Sequence, residues 1–474
     1  MQCLNQLSED LMKSNQVSRN KHSQSKRKFK NHSKPEKSHK HLFLTLWQDW
    51  LYEVRYLSQD KPWPALDRWL KNWFRQQERL PLELQSELSA ACYDIFRVLQ
   101  KIDFLETSYQ AKNIISEVDK WDLSWHCQEV ENHSARDFVA WFGILFPEHN
   151  FATQLTCEAR QTWYSSEFKP KWRGQADAES IQVILNGFRP TWLPLLVQRQ
   201  LISNWDDGKL IDFIKSQEKT PPLWLRADPK LYNELKTSLY KQGVKVALDD
   251  NGLMAVGGKG VNQTQEYKQG LIEIQDYASQ QIAAAVMVKP GQKVWDACAG
   301  AGGKSLAIAS KMNNKGSLVA TDLQSYKLDE LKKRAKRAQL HNVRAFAWDG
   351  ESALRLPNDV AKQKGFDWVL VDAPCSSAGT WRRNPDAKWR FNQSDTDELV
   401  KIQSGILENA AKAVRKGGYL VYATCSWQVA ENEAQVADFI ANNPGFELVE
   451  QKMLGAPDVD SDIMFVATLK LKQD

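Results

Sequence analysis

The chain has 474 residues, 42% of them hydrophobic and 26% charged, with a formal net charge of +5. That length exceeds what one ordinary core serves, so roughly two to four domains are expected. The composition is that of a globular protein; no apolar run approaches the roughly 18 residues of a membrane span. The N-terminus shows no apolar core of a secretion signal, so the cytoplasm is the expected address and no membrane partner is expected.

In chain order, the segment from Met12 to His41 comes first, with ten Lys or Arg against a single acid, Glu36. Such a stretch buries too little surface to offset chain entropy, so residues 1–41 are expected to be a disordered basic tail. Tails of this kind meet nucleic acid or merely aid solubility. From Leu42 to Trp205 the pattern is helical: Leu46, Trp50, Val54 and Leu57 recur at offsets of four and three. Twelve of the 19 tryptophans fall there. Indoles can stack on unpaired bases, but at helical spacing they are core by default. Residues 42–210 are read as a helical accessory domain, with RNA contact as a candidate role.

Pro221-Pro222 marks a boundary. LWLRAD, the helical PKLYNELKTSLYKQG, VKVALD and GLMAVGG suggest a small α/β module over 211–266. Its Arg226 and lysines are compatible with RNA contact, though solvated charge is the default. From 267 to 474 the rhythm is regular. KVWDACA, SLVATD, VRAFAWD, FDWVLVDAP and GYLVYATC read as strands. Between them KSLAIASKM, YKLDELKKRAKRAQL, TDELVKIQSGILENAAKAVRKG and ENEAQVADFIAN read as helices. The expected fold is α/β, Rossmann-like, a mostly parallel sheet with helices on both faces. FELVE and IMFVATLKL follow each other with no room for a helix, which predicts an antiparallel last strand of the kind found in methyltransferases.

Asp296 to Ser305 read DACAGAGGKS, a glycine-rich turn between strand and helix that brings backbone N–H groups close to a ligand. A phosphate P-loop needs glycine where Cys298 stands, and a dinucleotide fingerprint fails for want of glycine at 305. A nucleoside with an amino-acid tail remains. Asp322 and Asp349, at the ends of the second and third strands, are placed for ribose and adenine contacts. Asp372 makes a third strand-end acid in the region where open parallel sheets bind ligands.

Seven cysteines, at 3, 92, 127, 157, 298, 375 and 425, include no CxxC pair and no zinc-finger spacing, so no metal is expected. A disulfide scaffold is unlike a long chain without a secretion signal, and most free thiols are buried small hydrophobes. DAPC and ATCS are different. If the fourth and fifth strands are neighbours, Cys375 and Cys425 face one pocket beside the glycine turn. A thiol becomes a strong nucleophile once deprotonated, and nearby positive charge favours that form; Lys304, Arg382 and Arg383 are the candidates.

VWDACAGAGGKS, DAPCSSAGTWRRNPDAKW and YLVYATCSWQVAENE together resemble the signature blocks of the Rsm/Nop/Sun family of RNA cytosine-C5 methyltransferases. RRNPDAKWR points to the bacterial 16S ribosomal-RNA branch, and the likeness covers about residues 220 to 474. The resemblance implies S-adenosyl-L-methionine as cofactor and RNA as partner, with Cys425 as the nucleophile toward carbon 6 of cytosine. Cys375 would help expel the carbon-5 proton and release the RNA, and Asp372 would hydrogen-bond the extruded base. Cys298, Ala299, Gly300, Ala301, Gly302, Gly303 and Lys304, with Asp322, Asp349 and Asp372, would line the cofactor site. A flipped base costs least when unpaired, so loop or pre-assembly ribosomal RNA is the expected target. In that branch a helical RNA-binding domain of the NusB type occupies the place of residues 42–210, by analogy. Ala301 stands where the family has proline, which loosens the turn. The segment GTWRRNPDAKWR interleaves aromatic and basic residues, which favours RNA contact by Arg382, Arg383, Lys388 and Trp389 over a solvated loop. The competing reading is a non-catalytic RNA-binding or ribosome-assembly factor on this fold; DNA methylation is weaker. A monomer is expected.

Overall fold

The computed structural model describes residues 38–55, 64–77, 80–125, 133–256 and 260–473. Most of the basic tail lies outside them. Its last three residues are instead the first turn of the helix His39–Arg55, which buries Phe43, Trp47 and Trp50. Helices then continue to Asp207–Ser216, so the helical region runs past the expected boundary at 210. Its described tryptophans are core or pack against it, as the helical spacing indicated. Trp50 packs edge-on against Trp69 and Phe96, with ring centroids 5.0 Å apart in both pairs.

A small antiparallel sheet follows, built from β1 (Leu223–Arg226), β2 (Val246–Asp249), β3 (Gly252–Ala255) and β4 (Glu273–Ile274), in the order β2-β3-β1-β4. β4 lies beyond the expected module end at 266. Two residues are too short to show alternation, and they are a strand only because Arg226 pairs with Glu273.

The large sheet has seven strands: β5 (Lys293–Asp296), β6 (Ser317–Asp322), β7 (Val343–Ala347), β8 (Phe366–Asp372), β9 (Val414–Thr424), β10 (Phe446–Leu454) and β11 (Met464–Leu471). Their order is β10-β11-β9-β8-β5-β6-β7, with β11 antiparallel to both its neighbours and the rest parallel. This is the Rossmann-like α/β fold expected. One helix is shorter than the sequence suggested. It ends at Ala411, because Val414 pairs with Phe366 and the KAVRKG stretch becomes the start of β9.

Side chains alternate across the sheet with a period of two. Trp295, Val319, Val369, Val371, Leu420 and Tyr422 share one layer with Ile406, Leu407 and Phe439 of the helices Gln393–Ala411 and Glu433–Asn442. Val294, Leu318, Trp368, Leu370 and Val421 face the other way, onto Ile282, Ile308 and Leu331 of helices Tyr277–Ala285, Gly303–Lys311 and Ser325–Arg337. Each such strand residue buried on both faces contributes on the order of 1.5–3 kcal/mol. The layers hold the strand ends in register. Asp372 stands opposite Ala423, so the loops after β8 and β9 emerge side by side.

Candidate active site at the carboxyl ends of the strands

The two cysteines meet. Cys375 Sγ and Cys425 Sγ lie 3.2 Å apart, the Cys425 amide N–H donates to Cys375 Sγ at 3.3 Å, and Ser377 Oγ is 3.5 Å from Cys425 Sγ. The pair shares its proton unequally. The hydrogen bond from the Cys375 thiol lowers the Cys425 pKa against burial, helped by Ser377, while the charge of Asp372 raises it and that of Lys304 lowers it. The same hydrogen bond, with burial added, pushes Cys375 well up. Thiolate therefore collects at Cys425.

Lys304 reaches this centre from the first turn of helix Gly303–Lys311. Its Nζ donates to Asp372 Oδ2 at 2.7 Å. Burial works to lower the lysine pKa, but the adjacent Asp372 carboxylate and their hydrogen bond outweigh it, and the ammonium is held above its usual value. Asp372 Oδ1 has no hydrogen-bond partner among the described residues.

The glycine turn is shaped for close approach. At Gly300 a Cβ would meet nothing within 4 Å, so its backbone borders open space, while its N–H donates to Asp322 Oδ2 at 2.9 Å. Gly302, at φ 88°, has Leu331 Cγ only 2.6 Å from where a Cβ would sit. The position lacking proline is braced from outside: Arg334 donates to the Ala301 carbonyl at 2.7 Å. Cys298 lies in the same turn with its thiol kept neutral by burial and nearby carboxylates. Asp322 also accepts from the Gln324 N–H at 2.8 Å. Asp349 is exposed and caps its own turn, accepting from the Glu351 and Ser352 amides, both at 3.0 Å; no contact draws it into the cysteine centre.

The basic block after Cys375 departs from expectation. Arg382, Lys388 and Trp389 were the expected RNA contacts, yet they are buried against the helical region. Arg382 donates to the carbonyls of Lys219 and Ser461, both at 2.9 Å, and to Asp460. Lys388 Nζ donates to the carbonyls of Arg97 and Gly187, both at 2.6 Å. Burial lowers its pKa to about 7. Trp389 packs on Trp192 and Trp125. Arg383 keeps partial exposure but is paired with Asp276 and Asp462. The cause is geometric: these donors reach carbonyls at or just past helix ends, at Arg97, Gly187 and Lys219, and the loop carbonyl of Ser461, and a buried carbonyl must be satisfied.

A family model described as "16S rRNA methyltransferase RsmB/F" matches residues 283–468. That segment is similar to the family. Within the RsmB/F relatives, a Bacillus subtilis (strain 168) protein described as "Probable ribosomal RNA small subunit methyltransferase B" is 38% identical over 216 residues, 45% of this chain and 47% of its own. A Yersinia pestis bv. Antiqua (strain Angola) "Ribosomal RNA small subunit methyltransferase B" is 30% identical over 273 residues, covering 56% and 61%. The chain thus spans about half the length of the curated relatives it matches. Among solved structures, one described as PH0851 shares the fold at a TM-score of 0.62 and 23% identity, over 90% of this chain and 98% of that one. NSun6 from Pyrococcus horikoshii, solved with SFG, does so at 0.50 and 17%, over 59% and 98%.

Two residues of the RsmB/F segment escaped the sequence reading. Glu431, wholly buried, accepts from the Ser376 amide at 2.8 Å, Ser376 Oγ at 2.6 Å, Gln403 at 3.0 Å and Gln428 at 3.2 Å. It fixes the cysteine loop from behind, and its signal was the ENE triplet after the second cysteine. Asp296 is also buried. Its Oδ2 accepts from Ser305 at 2.6 Å while Oδ1 has no partner, and burial raises its pKa to about 7. Perturbed, partly unsatisfied carboxyls gather at functional clefts, and this one begins the glycine turn.

Proposed function

We propose that this chain transfers a methyl group from S-adenosylmethionine to carbon 5 of a cytosine in RNA, with small-subunit ribosomal RNA as the substrate, through a Cys425–C6 bond. The observation that carries this reading is the hydrogen-bonded cysteine pair at 3.2 Å beside the Lys304–Asp372 pair. Carbon 5 of cytosine is too weak a nucleophile on its own. Adding the Cys425 thiolate at carbon 6 turns the ring into an enamine, whose carbon 5 can then attack an electrophilic methyl.

The residues present suit the cofactor. Gly300 offers an open backbone, Asp322 a carboxylate for ribose hydroxyls, and Asp296 a buried, unsatisfied oxygen at the root of the turn. Bound there, S-adenosylmethionine supplies the sulfonium methyl. Asp372, steadied by Lys304, accepts from the base and keeps it oriented. Cys375, once its own proton has passed to water, accepts the carbon-5 proton as a thiolate; the C5–H electron pair re-forms the C5–C6 double bond, the C6–S bond breaks and Cys425 leaves as thiolate.

The test is methyl transfer to ribosomal RNA, read by bisulfite sequencing of RNA from cells with and without the protein. A new 5-methylcytosine that depends on Cys425 supports the reading. Tight cofactor binding with no transfer to any RNA would favour the non-catalytic assembly factor.

A further inference from the structure

A cavity of about 640 Å³ lies away from the cysteines, between the small sheet and two helices of the large domain. Its walls come from the end of β1, the turn after it, the helices Tyr277–Ala285 and Gly303–Lys311, and the segment before β4. That volume is within the range of small-molecule and nucleotide sites.

Two cations face it, Arg226 and Lys311. Lys311 Nζ donates to the Ala283 carbonyl at 2.9 Å. The Arg226 side chain has no hydrogen-bond or ion-pair partner among the described residues, and burial lowers its pKa to about 10, with the charge of Glu273 raising it and that of Arg334 lowering it. Lys311 is lowered as well, by burial and by Arg226. Glu273 offsets part of the burial cost at Arg226 through its charge but makes no hydrogen bond to the guanidinium. Glu273 is spent on Arg334, at 2.9 Å, and on Arg337, while Asp228 is exposed at the rim and accepts from the Lys230 amide. Beside the cations stand Tyr232 and the apolar Leu231 and Leu340. A ligand that satisfies this cavity carries a negative group and a flat, partly apolar body. A phosphate with its attached base has both.

Its place in the fold links it to the cysteines. Helix Gly303–Lys311 begins next to Lys304 at the active centre and ends at Lys311, roughly 10 Å along its axis. β1 behaves similarly. Trp224 donates to the Asp460 carbonyl and Pro222 accepts from Arg383 near the active-site loops, while Arg226 at the other end enters the cavity.

We infer that this cavity binds a nucleotide unit of the RNA substrate, its phosphate between Arg226 and Lys311 and its base against Tyr232. The inference rests on the RNA-modifying reading above and gives it an anchoring site away from the reacting base. The shared chemistry also admits a free nucleotide.

The test uses the full chain, a fluorescent single-stranded RNA oligomer and cytidine monophosphate. Anisotropy is measured across a salt series for the parent, Arg226→Gln, Lys311→Gln and the double variant. Each single change should weaken RNA binding about threefold to tenfold and reduce the slope of log affinity against log salt by about 0.7–1. S-adenosylmethionine affinity should stay at the parent value, which shows the fold intact. Competition by cytidine monophosphate that disappears in the double variant supports the same site with a free nucleotide as occupant. Unchanged affinity and slope in the double variant for both probes overturns the inference. A parent that binds RNA through these residues yet methylates none leaves the site standing and removes the proposed reaction.

Discussion

Two neighbouring stretches of one sequence block behave in opposite ways. Residues 374–379 hold a partly buried thiol and two hydroxyls, and the Cys375 and Ser376 side chains bond to the facing Cys425 and Ser426 and to the carboxylate of Glu431 behind them. Residues 382–389, only a few positions on, bury two cations and an indole whose donors are all taken by backbone carbonyls and an aspartate of other regions. Both stretches look functional as text. What separates them is whether the polar atoms are satisfied within the fold or still offered to a ligand.

The sharpest break of that contrast comes from the thiols. Cys425→Ala should cut methyl transfer to RNA by roughly 10³-fold or more with an unchanged melting temperature; retained turnover refutes the nucleophile. Cys375→Ala should leave addition possible but slow release, so a covalent protein–RNA species should build up on denaturing gels. Its absence while Cys425 is intact removes the release role.

Arg382→Ala should do the reverse. It orphans buried carbonyls and should destabilise the fold by roughly 3–5 kcal/mol in urea unfolding. A variant that folds normally and loses only RNA affinity would return this block to the RNA surface. Gly379→Ala sits between the two regimes: its Cβ would lie 1.8 Å from the Ile463 carbonyl oxygen and 3.0 Å from that of Cys425. Both stability and transfer should fall together, and a soluble, active variant would show that these loops shift freely.

The smallest effect concerns pH. Asp296 ionises near 7 when folded, against about 3.9 in an unfolded chain. Between those values the unfolded state sheds this proton and the folded state keeps it, so this residue's contribution falls as pH rises, levelling off above about 7. Asp296→Asn should therefore gain in melting temperature relative to the parent between pH 5 and 8, by a few degrees. A difference that does not vary with pH would mean that Asp296 is ionised throughout.

Much of the site was legible because parallel strands end at one edge. Once FDWVLVD and GYLVYAT were read as adjacent strands, the meeting of Cys375 and Cys425 followed. The brace at Ala301 was not legible, since Arg334 lies 33 positions away among the solvated lysines of its helix. Lys388 was misread for a related reason: helix ends that present carbonyls to it, at Arg97 and Gly187, are tertiary facts. Val414 showed helical composition, but pairing with Phe366 overrode propensity.

The tryptophan seam has a last consequence. Trp192 stacks near Trp381, centroids 5.0 Å apart, and Trp427 packs on Phe188 and Phe213, so one oily joint is owned jointly by both halves. Severing the chain at the double proline would leave each fragment with a greasy scar, prone to clump. The helical half and the cysteine loops therefore have to be inherited, and to wear out, together.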